Sequence, residues 1–175
     1  YVSENELTSD LAVMASLKAI KMSKLKPDDI DMIILATTTP DHSFPATATK
    51  IQQKLSIKGI AFDVQAVCAG FVFALSVASS MMKDNHSKNC LVIGADSMSK
   101  LVNWNDRTTS VLFGDGAGAV ILQKEEDINK KYSDWGILSN VIHSDGNYHD
   151  ILYTNGGPSL NKKTGTIEMV GKEVF

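Results

Sequence analysis

Two short runs constrain this chain more than anything else in it: Met32–Leu35 (M-I-I-L) and Cys90–Ala95 (C-L-V-I-G-A). Neither alternates polar with apolar residues. A strand that is apolar on both sides must be covered on both sides, which is the situation of a parallel sheet between helices. Gly59–Val64 reads as a further short strand. Between the runs lie segments of helical character. Thr8 or Ser9 can cap a helix in which Leu11, Met14, Ala15, Lys18 and Met22 recur at helical spacing, with Val13, Leu17 and Ile20 widening the apolar face. Pro27-Asp28-Asp29 predicts a short helical turn. Pro45 suits the first turn of a helix running through Ile51 to Leu55. Ala69–Met82 is apolar almost all round, which predicts a helix buried on most sides. Val111–Phe113 and Ala117–Leu122 flank what reads as a Gly-rich turn, Ile137–His143 reads as another strand, and residues 145–166 read as an exposed loop. Strands alternating with helices make the fold class α/β.

Composition excludes several functions. The chain has 175 residues, enough for one domain with a real core, and 43% of them are hydrophobic. A net charge of −3 gives no reason to expect nucleic acid or a membrane surface as partner. No apolar run approaches the roughly 18 residues that span a bilayer, and no signal-peptide pattern opens the chain. The two cysteines, Cys68 and Cys90, form no C-x-x-C, and no histidine stands at metal-ligand spacing, so neither a disulfide framework nor a metal site is expected. Free thiols suit a reducing cytoplasm. Both ends look cut, with no initiator Met and no stop signal after Glu173-Val174-Phe175, so a piece of something longer is expected.

The sharpest chemical feature is Asp63-Val64-Gln65-Ala66-Val67-Cys68-Ala69-Gly70-Phe71. A strand ends, the chain turns, and Cys68 stands at the start of an apolar helix. Unpaired N–H groups and the positive end of the helix dipole favour thiolate there, and thiolate is the nucleophile. The same N–H groups can serve an oxyanion hole, and Ala69 and Gly70 leave room for a substrate. The alternative is a buried structural cysteine. Cys90, inside an apolar strand, reads as structural. Phe113-Gly114-Asp115-Gly116-Ala117-Gly118 fails the dinucleotide spacing and precedes a strand, so close packing at a tight turn explains it better. Arg107, the only arginine, either meets a π-face and phosphate or pairs with a nearby Asp. Phe44 lies in a Pro-bounded loop with little local reason to be there.

The segment Asp63–Phe71 resembles the active-site signature of β-ketoacyl-(acyl carrier protein) synthase III. Ile34–Thr38, His42–Pro45, Asp106-Arg107, Phe113–Ala119, His143–Gly146 and Gly171–Phe175 resemble that family in order and spacing. The resemblance implies a thiolase-like fold, two similar α/β halves in five α-β-α-β-α layers. Residues 1–175 would be the N-terminal condensing-enzyme domain with insertions, lacking a first strand and the C-terminal half. It implies Cys68 as acyl acceptor, Arg107 against the adenine of coenzyme A, and Gly171 near the pantetheine arm. Lys172 departs from the Asn of some members. Phe113 would help line the acyl pocket, and Phe44 would cross a homodimer interface to close the partner's pocket. None of His42, His86, His143 and His149 matches the family's catalytic histidine. His42 and His143 read as structural, His86 as a solvated cap and His149 as exposed. The family's His and Asn would lie outside this chain, so the isolated piece is expected to be inactive in condensation.

The implied reaction is a decarboxylating Claisen condensation of a short acyl-CoA with malonyl-(acyl carrier protein), initiating fatty-acid synthesis. It is an acyltransferase reaction that needs no cofactor beyond the coenzyme A thioester substrate. The rivals are another thiolase-fold condensing enzyme, or a non-catalytic chain that only dimerises or binds acyl ligands.

Overall fold

The structure is a computed structural model describing residues 1–125 and 136–175. Its elements are α1 (Thr8–Ser23), β1 (Met32–Ala36), α2 (Thr47–Leu55), β2 (Ile60–Val64), α3 (Gly70–Lys83), β3 (Asn89–Ser97), β4 (Asp115–Gln123), β5 (Leu152–Thr154), β6 (Ile167–Met169) and α4 (Gly171–Val174). They form two compact units, one of residues 6–96 and 117–142, the other of residues 1–5, 97–116 and 143–175.

The first unit is built on a sheet of order β2-β1-β3-β4. β1 is parallel to both neighbours, with Met32 opposite Ile60 on one side and Cys90 on the other. Every residue of β1 is buried, and the reason is its two helical covers. Ile33, Leu35, Leu91 and Ile93 pack with Ala12 and Ile20 of α1 and Ala48, Ile51 and Leu55 of α2. Met32, Ile34, Cys90 and Val92 pack with Ala74, Ala78 and Met82 of α3 on the opposite face. The non-alternating runs therefore do form a doubly covered, largely parallel sheet. Gly70 and Gly94 let α3 lie close: a Cβ on Gly70 would meet the Ala36 Cβ at 3.3 Å, and one on Gly94 would meet the Phe71 ring at 3.2 Å.

Several local expectations are corrected. Thr8 and Ser9 lie inside the first turn of α1, buried, and do not cap it. Asp10 does that work by accepting the Leu7 N–H at 3.0 Å. The buried face of α1 is Thr8, Ser9, Ala12, Ser16 and Ile20. Small residues let the helix approach its neighbours, and Ser16 satisfies its hydroxyl on the Ala12 carbonyl at 2.7 Å. The more apolar stripe of Leu11, Met14, Ala15, Lys18 and Met22 instead lines an open groove of about 360 Å³ with Ala117, Gly118 and Ala119, leaving Met22 84% exposed. Pro45 stands before the Ala46 cap of α2, not within its first turn. Gly70, Ala74, Ala78 and Met82 of α3 are buried, Phe71, Leu75, Val77 and Met81 are partly buried against the same cluster, and only Val72, Ser80 and Lys83 are exposed.

The Gly-rich segment is not a tight turn. Asp115–Gly118 already belong to β4, and a Cβ added at Gly114, Gly116 or Gly118 would meet nothing within 4 Å. Ile137–His143 is exposed and forms no strand, having no partner to bond with among the described residues. The loop expected at residues 145–166 contains a short helical turn at Gly146–Tyr148 and β5, which pairs antiparallel with β6. That pairing belongs to the second unit, whose small core is Leu101, Val102 and Ile167 with Met98, Phe113 and Leu152 against it. No helix among the described residues is long and apolar enough to cross a membrane.

Candidate active site

Chemistry in a parallel sheet gathers at the carboxyl ends of the strands, where the chain leaves for the next helix. Here the turn after β2 carries Cys68. The backbone runs through Ala66 (φ −144°, ψ 32°) to Val67 at φ +47°, then a single 3-10 turn over Val67–Ala69. Ala69 donates to the Ala66 carbonyl at 3.1 Å, and Gly70 to that of Val67. A positive φ on a β-branched residue costs on the order of 1–3 kcal/mol and persists only where the surroundings impose it. Cys68 therefore lies in the strained turn, two residues ahead of α3, at the start of the helix as expected. It is exposed, and no side chain caps α3 behind it. The strain at Val67 had no signal in the sequence, since valine is among the residues least expected there.

Cys90 contrasts in every respect. It is 0% exposed in β3, and burial, with Asp31 adding to it, pushes its thiol up to about 12.

Three carboxylates surround this end of the sheet, and sequence reasoning missed them as a group. Asp63, next to last in β2, caps α2, accepting the N–H groups of Thr47 at 2.7 Å and Ala48 at 2.8 Å. Burial holds its pKa above the usual range despite those bonds. Asp96 near the end of β3 accepts the Thr38 N–H at 2.7 Å and the hydroxyls of Thr37 and Thr39 at 3.3 and 3.4 Å. Burial raises it too. Asp41, in the loop after β1, has a side chain only 2% exposed and accepts the Lys50 ammonium at 2.7 Å and the Ser9 N–H at 3.0 Å. Burial pushes Asp41 up, but those donors outweigh it and leave its pKa lowered. The Thr-Thr-Thr run after an apolar strand was the one available clue.

Phe44 belongs to the same unit and is 85% exposed, so it plugs no core of its own. The Phe44–Pro45 peptide bond is cis. The other three residues singled out belong to the second unit. Arg107 is exposed and no ion pair to it is formed among the described residues. The neighbouring Asp106 accepts the Thr108 N–H at 2.9 Å and the hydroxyls of Thr108 and Thr109 at 2.7 and 2.9 Å. Those bonds hold the Asp106 carboxyl below its usual range. Phe113 is half-buried against the Leu101–Val102–Ile167 cluster. Gly171 opens α4, a single turn. His42 and His143, read as structural, are both exposed, as are His86 and His149. No group of three or more His, Cys, Asp or Glu suited to a metal ion occurs among the described residues.

Known proteins resemble this chain along nearly its whole length. A family model described as 3-oxoacyl-[acyl-carrier-protein (ACP)] synthase III matches residues 62–146. A β-ketoacyl-[acyl-carrier-protein] synthase III of Rhodospirillum centenum is 51% identical over 174 residues, covering 99% of this chain and 53% of its own. The chain is similar to the N-terminal half of β-ketoacyl-[acyl-carrier-protein] synthase III. A relative of the same description from Erythrobacter litoralis is 52% identical over 172 residues, again 98% of this chain and 53% of the other. Among solved structures, the synthase III of Aquifex aeolicus superposes with a TM-score of 0.86 at 38% identity, over 99% of this chain and 52% of that one. That of Thermus thermophilus gives 0.86 at 35% identity, over 99% and 53%. The fold is thus thiolase-like, its first α/β half, and the chain spans about half the length of the synthase III relatives it matches.

Proposed function

We propose that the full-length protein is a 3-oxoacyl-(acyl carrier protein) synthase III, working through an acyl-cysteine at Cys68. The observation that carries this reading is the placement of an exposed thiol on a strained turn, between the carboxyl end of a parallel strand and an uncapped helix. The Cys68 sulfur attacks the thioester carbonyl of a short acyl-CoA, the tetrahedral intermediate collapses, and coenzyme A leaves as its thiolate. Backbone N–H groups around the start of α3 would meet the developing oxyanion. Malonyl-(acyl carrier protein) then loses carbon dioxide. The resulting carbanion attacks the acyl-enzyme carbonyl, and Cys68 departs as thiolate, leaving a 3-oxoacyl-carrier protein. No redox or metal chemistry enters these steps. The family's His and Asn, which match no residue of this chain, would assist the decarboxylation, so residues 1–175 alone should not turn over. Two free cysteines accord with a cytoplasmic setting.

The full-length protein given acetyl-CoA and malonyl-carrier protein should release carbon dioxide and form 3-oxobutyryl-carrier protein. Acetoacetyl-CoA from two acetyl-CoA would make it a thiolase. Acyl binding with no product at all would make it a non-catalytic acyl-binding protein.

Arg107 is proposed to stack on the adenine of coenzyme A, a role its unpaired guanidinium supports. Arg107→Ala should weaken acyl-CoA use by roughly tenfold, the loss of one cation–π contact, and leave carrier-protein use nearly intact. Steady-state kinetics with each substrate varied in turn would separate these, and equal losses would make the residue structural. Gly171, at the start of α4, is proposed to meet the pantetheine arm through its backbone.

The protein is further proposed to be a homodimer in which Phe44 enters the partner's acyl pocket, lined from within one subunit by Phe113. An aromatic ring left 85% exposed forgoes about 2 kcal/mol of burial unless something covers it. Phe44→Ala should shift preference from acetyl toward longer acyl-CoAs, and Phe113→Ala should act in the same direction. A chain-length series of kcat/KM, with light scattering for the oligomer, checks both. A dimeric Phe44→Ala protein with an unchanged profile would remove Phe44 from the pocket.

A further inference from the structure

The loop that presents Phe44 is held firmly at both ends and left bare in the middle. At its start, Thr37, Thr38 and Thr39 all donate to one carboxylate oxygen of Asp96. Thr39 also shares a hydrogen bond with Thr8 at the start of α1, at 3.1 Å. Further on, the Asp41 carboxylate takes the Ser9 N–H and the Lys50 ammonium, while its own N–H donates to the Thr47 hydroxyl at 2.9 Å. Thr47 in turn is held by Asp63. Residues 42–46 hang between these anchors, and Phe44 is in the middle of them. These bonds join residues as much as 59 positions apart, and so tie the ends of β1, β2 and β3 and the starts of α1 and α2 into one frame.

A half-buried carboxylate that takes three donors from consecutive residues is an expensive way to hold an ordinary turn. Desolvation of the charge opposes it, and the three bonds offset that cost only in part. What such a frame provides is a fixed direction for whatever the loop carries, and the loop carries one exposed aromatic ring. We propose that Asp96 is a positioning residue for primer selection: by holding Thr37, Thr38 and Thr39, its carboxylate fixes where Phe44 is presented. This rests on the reading of Phe44 as the floor of an acyl pocket and adds what sets the height of that floor.

The test uses full-length Asp96→Ala, Asp96→Asn and Phe44→Ala, with Asp31→Ala as control. Asp31 stands just before the amino end of β1 and holds Ser87, Lys88 and Asn89, so its loss loosens the same sheet far from the loop. Asp96→Ala should raise kcat/KM for hexanoyl-CoA relative to acetyl-CoA by about tenfold, the scale on which a pocket discriminates a few methylenes. The change should lie in the acyl-CoA KM, with malonyl decarboxylation unchanged. Asp96→Asn keeps an acceptor for the Thr38 N–H and should restore most of the native profile. Asp31→Ala should lower thermal stability without moving the profile. If Asp96→Ala does not fold, Thr39→Val removes one anchor without changing shape, and a smaller shift in the same direction is expected. If Phe44→Ala shifts the profile and neither Asp96→Ala nor Thr39→Val does, the positioning role is overturned and the pocket reading stands. If Asp31→Ala shifts it equally, general loosening explains the effect and the positioning role is again overturned. If Phe44→Ala itself shifts nothing, the pocket reading falls, and the role of Asp96 with it.

Discussion

Iodoacetamide at pH 8 should alkylate Cys68 in the full-length protein and leave Cys90 untouched, with rates at least about a thousandfold apart. The reason lies as much in Cys90 as in Cys68. With its thiol pushed up to about 12 by burial, Cys90 at pH 8 is thiolate in roughly one molecule in ten thousand, and thiolate is the reacting form. It is also 0% exposed, inside a strand whose neighbours leave no path for a reagent. Cys68 is exposed on its turn. Acetyl-CoA should label the same residue, and Cys68→Ser should lower condensation by on the order of a thousandfold or more, because the acyl-enzyme route requires that nucleophile. Peptide mapping after partial alkylation reads the first result directly. Preferential modification of Cys90, or condensation that survives Cys68→Ser, would remove Cys68 from the chemistry.

Gly59→Ala should cost roughly 3 kcal/mol or more in urea unfolding, the range reserved for backbone conflicts in a core. Gly59 sits at φ +119°, a region that residues with a Cβ rarely enter, and a Cβ there would lie 2.1 Å from the Asp31 carbonyl oxygen. That oxygen cannot simply move aside. It accepts the Ile60 N–H at 3.0 Å, where β2 first bonds to the chain leading into β1. The substitution must therefore break the pairing that sets the register of Met32 against Ile60, and with it the burial of both strands. Gly116→Ala is the comparison, because a Cβ there meets nothing within 4 Å and should change stability by less than about 0.5 kcal/mol. A Gly59→Ala protein as stable as its Gly116→Ala counterpart would show that the β1–β2 entry can rearrange.

The elements most legible in the sequence were those whose burial is complete. Met32–Ala36 carries no polar residue, and a segment of that kind has only one stable use, in the middle of a covered sheet. The segment around Cys68 also falls within the residues matched by the family model, 62–146. Legibility failed where a residue's role depends on what packs against it. In α1 the apolar face read from the sequence shares only Ile20 with the buried face, where Thr8, Ser9, Ala12 and Ser16 hold the other places. Close approach needed small side chains more than greasy ones. Ile137–His143 has strand composition but no strand to pair with among the described residues, and composition alone cannot supply one.

By itself, then, the sequence determined the class of fold and the doubly covered strands, because each follows from patterns a few residues long. Tertiary structure alone decided the rest. The positive φ of Val67 is unfavourable for that residue in isolation and is imposed by the strand and helix on either side. The hold of Asp96 on Thr37, Thr38 and Thr39 spans 57 to 59 positions, a distance over which no local pattern carries information. A chain's short-range preferences say what must be buried; only the closed sheet, bringing three strand ends together, says which carboxylate meets which loop.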